Sequence, residues 1–228
     1  MRSEHGWWYY FPAMLSIKTP LALIGLTLLM AAKRFRAKGS GQTLALAFAG
    51  GVLAASMTGH IDIGVRYVLP VYAGMSVACG TAAAAARGWV ARTAVAALLV
   101  WQVISGVRQH PDYLAYTNEV AGSRPERFLA DSDVDWGQDM KRLAAFLKEQ
   151  RATTVTFTPF NRTYPMPVQM VPGSSDAPSA GWNAVSVTIW KVFGFPAWAD
   201  RVPEQRRIGR SILVWYFAPG AESAGRQP

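Results

Sequence analysis

Four stretches of this chain, residues 11–32, 42–58, 67–86 and 89–107, are apolar over lengths that suit a lipid bilayer. A helix needs about 20 such residues to cross the hydrocarbon slab, where only internal hydrogen bonds satisfy the backbone. The four are expected to be membrane-spanning helices. The second is shortest, and the last two are richest in alanine, which suits close helix packing. After residue 107 charges recur every few residues, as in water-soluble domains. The expected fold class is therefore a membrane all-α domain of four transmembrane helices over residues 1–107, followed by a small α/β extracytoplasmic domain over residues 108–228.

The net charge of +9 divides unevenly at that boundary. Before Arg108 there are nine Lys/Arg and two Asp/Glu, giving +7; from Arg108 on there are fourteen and twelve, giving +2. Cationic loops between membrane helices have a topological explanation, and no aromatic-basic platform accompanies them, so nucleic acid is not an expected partner. Lys33, Arg34, Arg36 and Lys38 follow the first span, Arg87 and Arg92 follow the third, and only Arg66 and Asp62 lie between the second and third. By the positive-inside rule the first and third loops are cytoplasmic, which puts the 60–66 loop and the carboxy-terminal domain on the outer face of the cytoplasmic membrane. The lone Cys79 has no partner for a disulfide.

Beyond the spans, residues 111–120 are expected to form a short helix and residues 127–130 a strand. Met140, Leu143, Ala144 and Leu147 fall at helical spacing, with Lys141, Arg142 and Lys148 on the other side. Residues 154–158 and 185–189 alternate in the manner of strands, and 211–217 is apolar throughout. Residues 159–181, rich in Pro, Gly and Ser, are expected to be a loop.

Candidate functional residues fall into three groups. Asp131, Asp133, Asp135 and Asp139, around Trp136 and Gln138, stand where a strand is expected to meet a helix, a common ligand position in α/β folds. Clustered carboxylates hold hard cations or move protons. They also cap helices and satisfy loop amides, with Asp135 the expected cap and Asp139 in the first turn. A metal is not expected, because Trp136 replaces the glycine of a calcium loop. Arg66, at a helix mouth, suits a lipid phosphate or an ion pair with Asp62, and His60 beside it suits an interfacial hydrogen bond. Lys18, inside the first span, either snorkels to headgroups or contacts a lipid phosphate. Ahead of it, Trp7, Trp8, Tyr9 and Tyr10 form what an interfacial aromatic belt looks like.

Several stretches, in order, resemble the bacterial relatives of protein O-mannosyltransferases, the phospholipid-carrier-dependent members of the C-type glycosyltransferase superfamily. They are Gly6-Trp7-Trp8-Tyr9-Tyr10-Phe11-Pro12 with Lys18-Thr19-Pro20, then Ile63-Gly64-Val65-Arg66-Tyr67-Val68-Leu69-Pro70. The third is His110-Pro111-Asp112-Tyr113-Leu114-Ala115-Tyr116-Thr117-Asn118-Glu119, followed by residues 131–139. The resemblance covers about residues 6–152. It implies a sugar taken from a polyprenyl-phosphate carrier and passed, outside the cytoplasmic membrane, to a protein, lipid or glycan. Arg66 and Lys18 are then implied near the carrier phosphate, and the aspartates beside the acceptor route. No cofactor is implied beyond the lipid-linked sugar as donor.

In that family the acidic catalytic residues lie in the first outer loop near the amino terminus of the full enzyme, among helices this chain lacks. The chain is thus expected to be the carboxy-terminal part of such an enzyme, working with an amino-terminal half or a partner subunit. The alternative from another class is a membrane-anchored, non-catalytic accessory protein that binds a glycan or partner. A small transporter is disfavoured, since the spans show almost no internal charge and no broken-helix pairing.

Overall fold

A computed structural model describes residues 7–34, 41–59, 64–122, 124–129 and 133–219. His60 and Asp131 therefore lie outside the described residues, as do the 60–63 loop and residues 35–40. The chain divides into two compact units, Met1–Ser123 and Arg124–Pro228. Residues 108–123, expected in the soluble part, belong to the first.

The first unit is helical: α1 Tyr10–Lys18, α2 Leu21–Arg34, α3 Gly41–Met57, α4 Leu69–Ala84 and α5 Trp89–Arg108, with a 3₁₀ turn Val65–Val68 leading into α4. Two helical stretches, Val65–Ala84 and Trp89–Arg108, are long and apolar enough to cross a membrane, which fits a membrane protein. The span expected over 11–32 is instead two helices bent by 114°, and counting that pair as one crossing makes three. Gly41–Met57 is apolar but shorter. The bend has a local cause. Pro20 has no N–H to give, and it forces the preceding Thr19 into extended backbone at φ −93°, ψ 131°. The first span is thus not the single continuous helix expected.

Small residues set the helix spacing here. A Cβ at Gly74 of α4 would stand 2.6 Å from the Ala45 carbonyl oxygen and 2.9 Å from Ala49 Cβ, both of α3. Only a hydrogen side chain permits that approach. On α5, by contrast, Val100, Val103 and Val107 are all more than half exposed, an apolar surface suited to lipid rather than water.

In the second unit α6 Met140–Glu149 precedes β1 Thr154–Thr158, β2 Gln169–Val171, β3 Gly181–Ser186, α7 Val187–Phe193, β4 Arg206–Ile208 and β5 Ile212–Phe217. The sheet order is β2-β1-β3-β5-β4, with β1 parallel to β2 and β3 and with β5 antiparallel to β3 and β4. The helical spacing on α6 does what it predicts: Met140, Leu143, Phe146 and Leu147 pack on Val155, Phe157, Ala184, Ile212 and Val214. Along β5 the intervening Leu213 and Trp215 are also buried, Trp215 packing edge-on to Trp198. Both faces of β5 are covered, so its sequence is apolar without alternation.

Four local expectations change; within the stretch 159–181, expected to be a loop, Gln169–Val171 forms β2 beside β1. Residues 111–120 form turns rather than a helix, and where a strand is expected over 127–130 the described residues form a 3₁₀ turn, Pro125–Arg127, with no strand at 128–129. The strand expected to run to Ile189 stops at Ser186, whose hydroxyl accepts the Ile189 N–H and caps α7; Gly194 ends that helix in the left-handed conformation.

Candidate functional site

In a continuous α1–α2 helix the carbonyls of the last turn would meet N–H groups four residues on. Pro20 breaks that ladder, and an apolar setting offers no water to replace it. One residue nearly a hundred positions away fills the gap. Asn118, 1% exposed, donates its side-chain amide to the Ser16 carbonyl at 2.5 Å and the Thr19 carbonyl at 3.0 Å, while its backbone N–H donates to the Ile17 carbonyl at 2.9 Å. Lys18, which lies among those carbonyls, donates from Nζ to the Leu114 carbonyl at 2.6 Å. A cation at the last turn of α1 also suits the helix dipole. The turn-rich segment around Tyr113–Glu119 is thus locked onto the break.

The same segment bounds a cavity of about 330 Å³ lined by Lys18 and Pro20, by Val65, Leu69 and Tyr72, and by Gly106, Gln109, Tyr113, Leu114 and Tyr116. Its walls are mostly apolar, with one buried cation, a carboxamide and three phenols. Thr19 Oγ1 donates to Tyr72 Oη at 3.1 Å, and Tyr116 Oη pairs with Ser105 Oγ at 3.1 Å. Ser105 and Trp101 Nε1 in turn donate to Glu119 Oε1, which fixes the far side of the segment. Arg66 does not line the cavity, although its neighbour Val65 does; it is exposed, with its guanidinium 5.4 Å over the Tyr67 ring.

The aspartates of the second unit are occupied by the fold. Asp133, Asp135 and Asp139 are each 2% exposed or less. Asp135 accepts from the Gly137 N–H at 2.7 Å and from Ser186 Oγ at 2.5 Å, so it ties the loop before α6 to the end of β3 rather than capping α6. Asp139 stands at the helix cap position, yet its carboxylate serves the β4–β5 turn, accepting from the Arg210 N–H, the Ser211 N–H and Ser211 Oγ at 2.8–3.0 Å while pairing with Arg142 at 2.9 Å. Gln138 accepts the Trp136 N–H and donates to the Val134 carbonyl, which leaves the Trp136 indole 44% exposed. Among the described residues no three His, Cys, Asp or Glu side chains are grouped as a metal site.

Burial pushes the Asp135 carboxyl above the usual range, opposed by the Ser186 and Gly137 hydrogen bonds and aided by the nearby Asp139 charge. The folded state therefore holds this proton more tightly than the unfolded chain does. Stability from Asp135 is present at low pH and is lost as pH rises from about 4, the ordinary carboxyl value, through the raised folded one. Asp135→Asn is expected to gain on the parent protein over that window, so the difference between their unfolding midpoints should widen upward from pH 4. A difference independent of pH would show that Asp135 does not titrate with folding.

Sequence reasoning did not single out Tyr72, and it gave Asn118 no role beyond membership of the third resembling stretch. A signal existed: Lys18-Thr19-Pro20 inside an apolar stretch announces stranded carbonyls, and these require a donor from elsewhere in the chain. Comparison with family models, with curated proteins and with solved structures finds no match for this chain.

Proposed function

We propose that this chain forms part of a membrane glycosyltransferase that moves a sugar from a polyprenyl-phosphate carrier to an acceptor on the outer face of the cytoplasmic membrane. One observation carries the reading. The three membrane-half stretches that resemble the protein O-mannosyltransferase relatives, far apart in sequence, contribute Lys18 and Pro20, Val65 and Leu69, and Tyr113, Leu114 and Tyr116 to one cavity. In this reading the Lys18 ammonium pairs with the carrier phosphate, and the apolar wall at Val65 and Leu69 takes the first isoprene units. Arg66 meets the headgroup at the mouth. Gly41–Met57 serves as a fourth crossing, and the 60–66 loop and the second unit lie outside.

The chemistry asks for charge where charge develops. The acceptor hydroxyl oxygen attacks the anomeric carbon, the bond from that carbon to the phosphate oxygen breaks, and the carrier phosphate leaves with the electron pair. A fixed cation beside that phosphate stabilises the departure. The hydroxyl proton needs a base within hydrogen-bond reach. Helices α1 to α5 contain no Asp or Glu, so in this reading a carboxylate base stands outside them, in a loop of this chain, in a further helical portion or in a partner subunit.

The test is sugar transfer in membranes from a polyprenyl-phosphate donor, with the chain supplied alone and with any upstream extension. Lys18→Met is expected to lower kcat/KM by roughly a hundredfold, about 2.7 kcal/mol of transition-state stabilisation, while Lys18→Arg retains most activity. Arg66→Ala is expected to raise KM more than it lowers kcat. Transfer by Lys18→Met at the parental rate would sink the reading. Carrier binding that depends on Lys18 without transfer in either form would favour the accessory-protein alternative.

A further inference from the structure

A second cleft lies within the second unit, independent of the Lys18 cavity. It measures about 570 Å³ and is lined by Gln150, Arg151, Thr153 and Thr154 from the end of α6 and the start of β1, and by Trp182 and Tyr216 from β3 and β5. Trp182 and Tyr216 are directly opposite in the antiparallel register, with ring centroids 4.9 Å apart and planes tilted by 56°. They share the sheet face that carries α6, Trp182 packing edge-on to Phe146 of that helix. The helix ends at Glu149, however, so the pair lies partly uncovered and Tyr216 is 45% exposed.

Two features show the cleft held in shape rather than left over. Gln205 grips the backbone of Tyr216 from both sides, its Oε1 accepting the Tyr216 N–H at 2.7 Å and its Nε2 donating to the Tyr216 carbonyl at 3.2 Å. Arg151 stands at φ 51°, the one described non-glycine residue in the left-handed region, at the position after a helix where glycine is usual. The Ala152 N–H to Leu147 carbonyl bond of 3.0 Å closes this helix end. Glycine there would relieve the strain, yet an exposed arginine occupies it and makes no ion pair among the described residues. Strain of this kind is a signal of function.

We propose that this cleft binds a sugar residue bearing a carboxylate, a uronic acid within a glycan. Tilted aromatic rings offer the apolar C–H face of a pyranose a platform, whereas a flat base would need a parallel slot. The Thr153 and Thr154 hydroxyls and the Gln150 amide match sugar hydroxyls, and the Arg151 guanidinium matches a carboxylate in its two-pronged geometry. Among the described residues no Asp or Glu lines the cleft to favour a cationic ligand.

The test is calorimetric titration of the full chain, in lipid nanodiscs free of glycosidic detergent, with a tetrasaccharide of galacturonate and its neutral galactose counterpart. The parent is expected to bind the acidic tetrasaccharide roughly tenfold more tightly than the neutral one. Arg151→Gly should bring the two ligands level and raise the unfolding midpoint. Tyr216→Ala should lose both, and Tyr216→Trp should restore them, which separates loss of the platform from loss of the fold. Absence of saturable heat from the parent, equal binding of the two tetrasaccharides by the parent, or parental titration by both Arg151→Gly and Tyr216→Ala would overturn the proposal. None of these outcomes depends on sugar transfer, so the cleft and the Lys18 reading succeed or fail separately.

Discussion

Replacing Asp139 by alanine is expected to destabilise the second unit by about 3–5 kcal/mol, since three donors lose their acceptor at about 1–3 kcal/mol each and the turn relaxes in part. The carboxylate holds Arg210 and Ser211 through two backbone N–H groups and a hydroxyl, and it neutralises Arg142. Alanine leaves the two amides and the hydroxyl facing a void where the 1%-exposed carboxylate stood, while Arg142, about a third exposed, turns to water. The turn is shaped to the acid: Gly209 adopts φ 58°, and a Cβ there would stand 2.0 Å from Asp139 Oδ1. Against a typical domain stability of about 5–15 kcal/mol, such a loss removes from about a fifth to all of the margin. Asp139→Asn keeps an acceptor for the turn but not the ion pair, so it should fall between alanine and the parent. Limited proteolysis and the unfolding midpoint of the purified chain measure this. An alanine variant melting within about 1 kcal/mol of the parent would show that the β4–β5 turn does not depend on the carboxylate.

Asn118→Leu is expected to cost about 2–4 kcal/mol in the helical unit. Leucine fills similar space but strands the Ser16 and Thr19 carbonyls, at about 1–3 kcal/mol for each buried group left unsatisfied. The backbone bond to Ile17 survives, which keeps the loss below that of removing the whole segment. The effect should also depend on the break itself. With Pro20→Ala the helix regains a donor and a path to its own ladder, so the leucine substitution should cost less there than in the parent; additive costs would show that Asn118 supports something other than the broken helix. Since Leu114, four residues before Asn118, holds Lys18, the single variant should also slow any transfer that depends on Lys18.

Much of the architecture could be read in the residues because the signals were periodic or long. The apolar runs at 67–86 and 89–107 correspond to Val65–Ala84 and Trp89–Arg108, and the helical spacing from Met140 to Leu147 lies on α6. The apolar run ending at Phe217 is β5, the strand covered on both faces. The misreadings came where one polar or cyclic residue outweighed a pattern. Ser186 turned an alternating run into a helix start, and Pro20 split a hydrophobic stretch that hydropathy alone treats as continuous.

The candidate sites divide in the same way. Lys18 and the aspartates could be singled out by their chemical type, since a lysine in an apolar run and four acids in nine residues stand out in any sequence. What those groups do is a matter of their partners. Asp135 and Asp139 resemble a cation site in one dimension, but folding delivers Ser186 and Ser211 to them, and their oxygens are spent on the loop they brace.

Composition and periodicity, which act through neighbours along the chain, determined that this protein has an apolar helical part and a mixed α/β part, and where α4, α5 and α6 run. Only the tertiary structure decided which distant residue completes each local defect: Asn118 for the carbonyls that Pro20 strands, Asp139 for the amides of a turn seventy residues on. The physical reason is that an unsatisfied polar group is a local fact of the sequence, whereas the donor that relieves it is chosen by the packing of the whole chain.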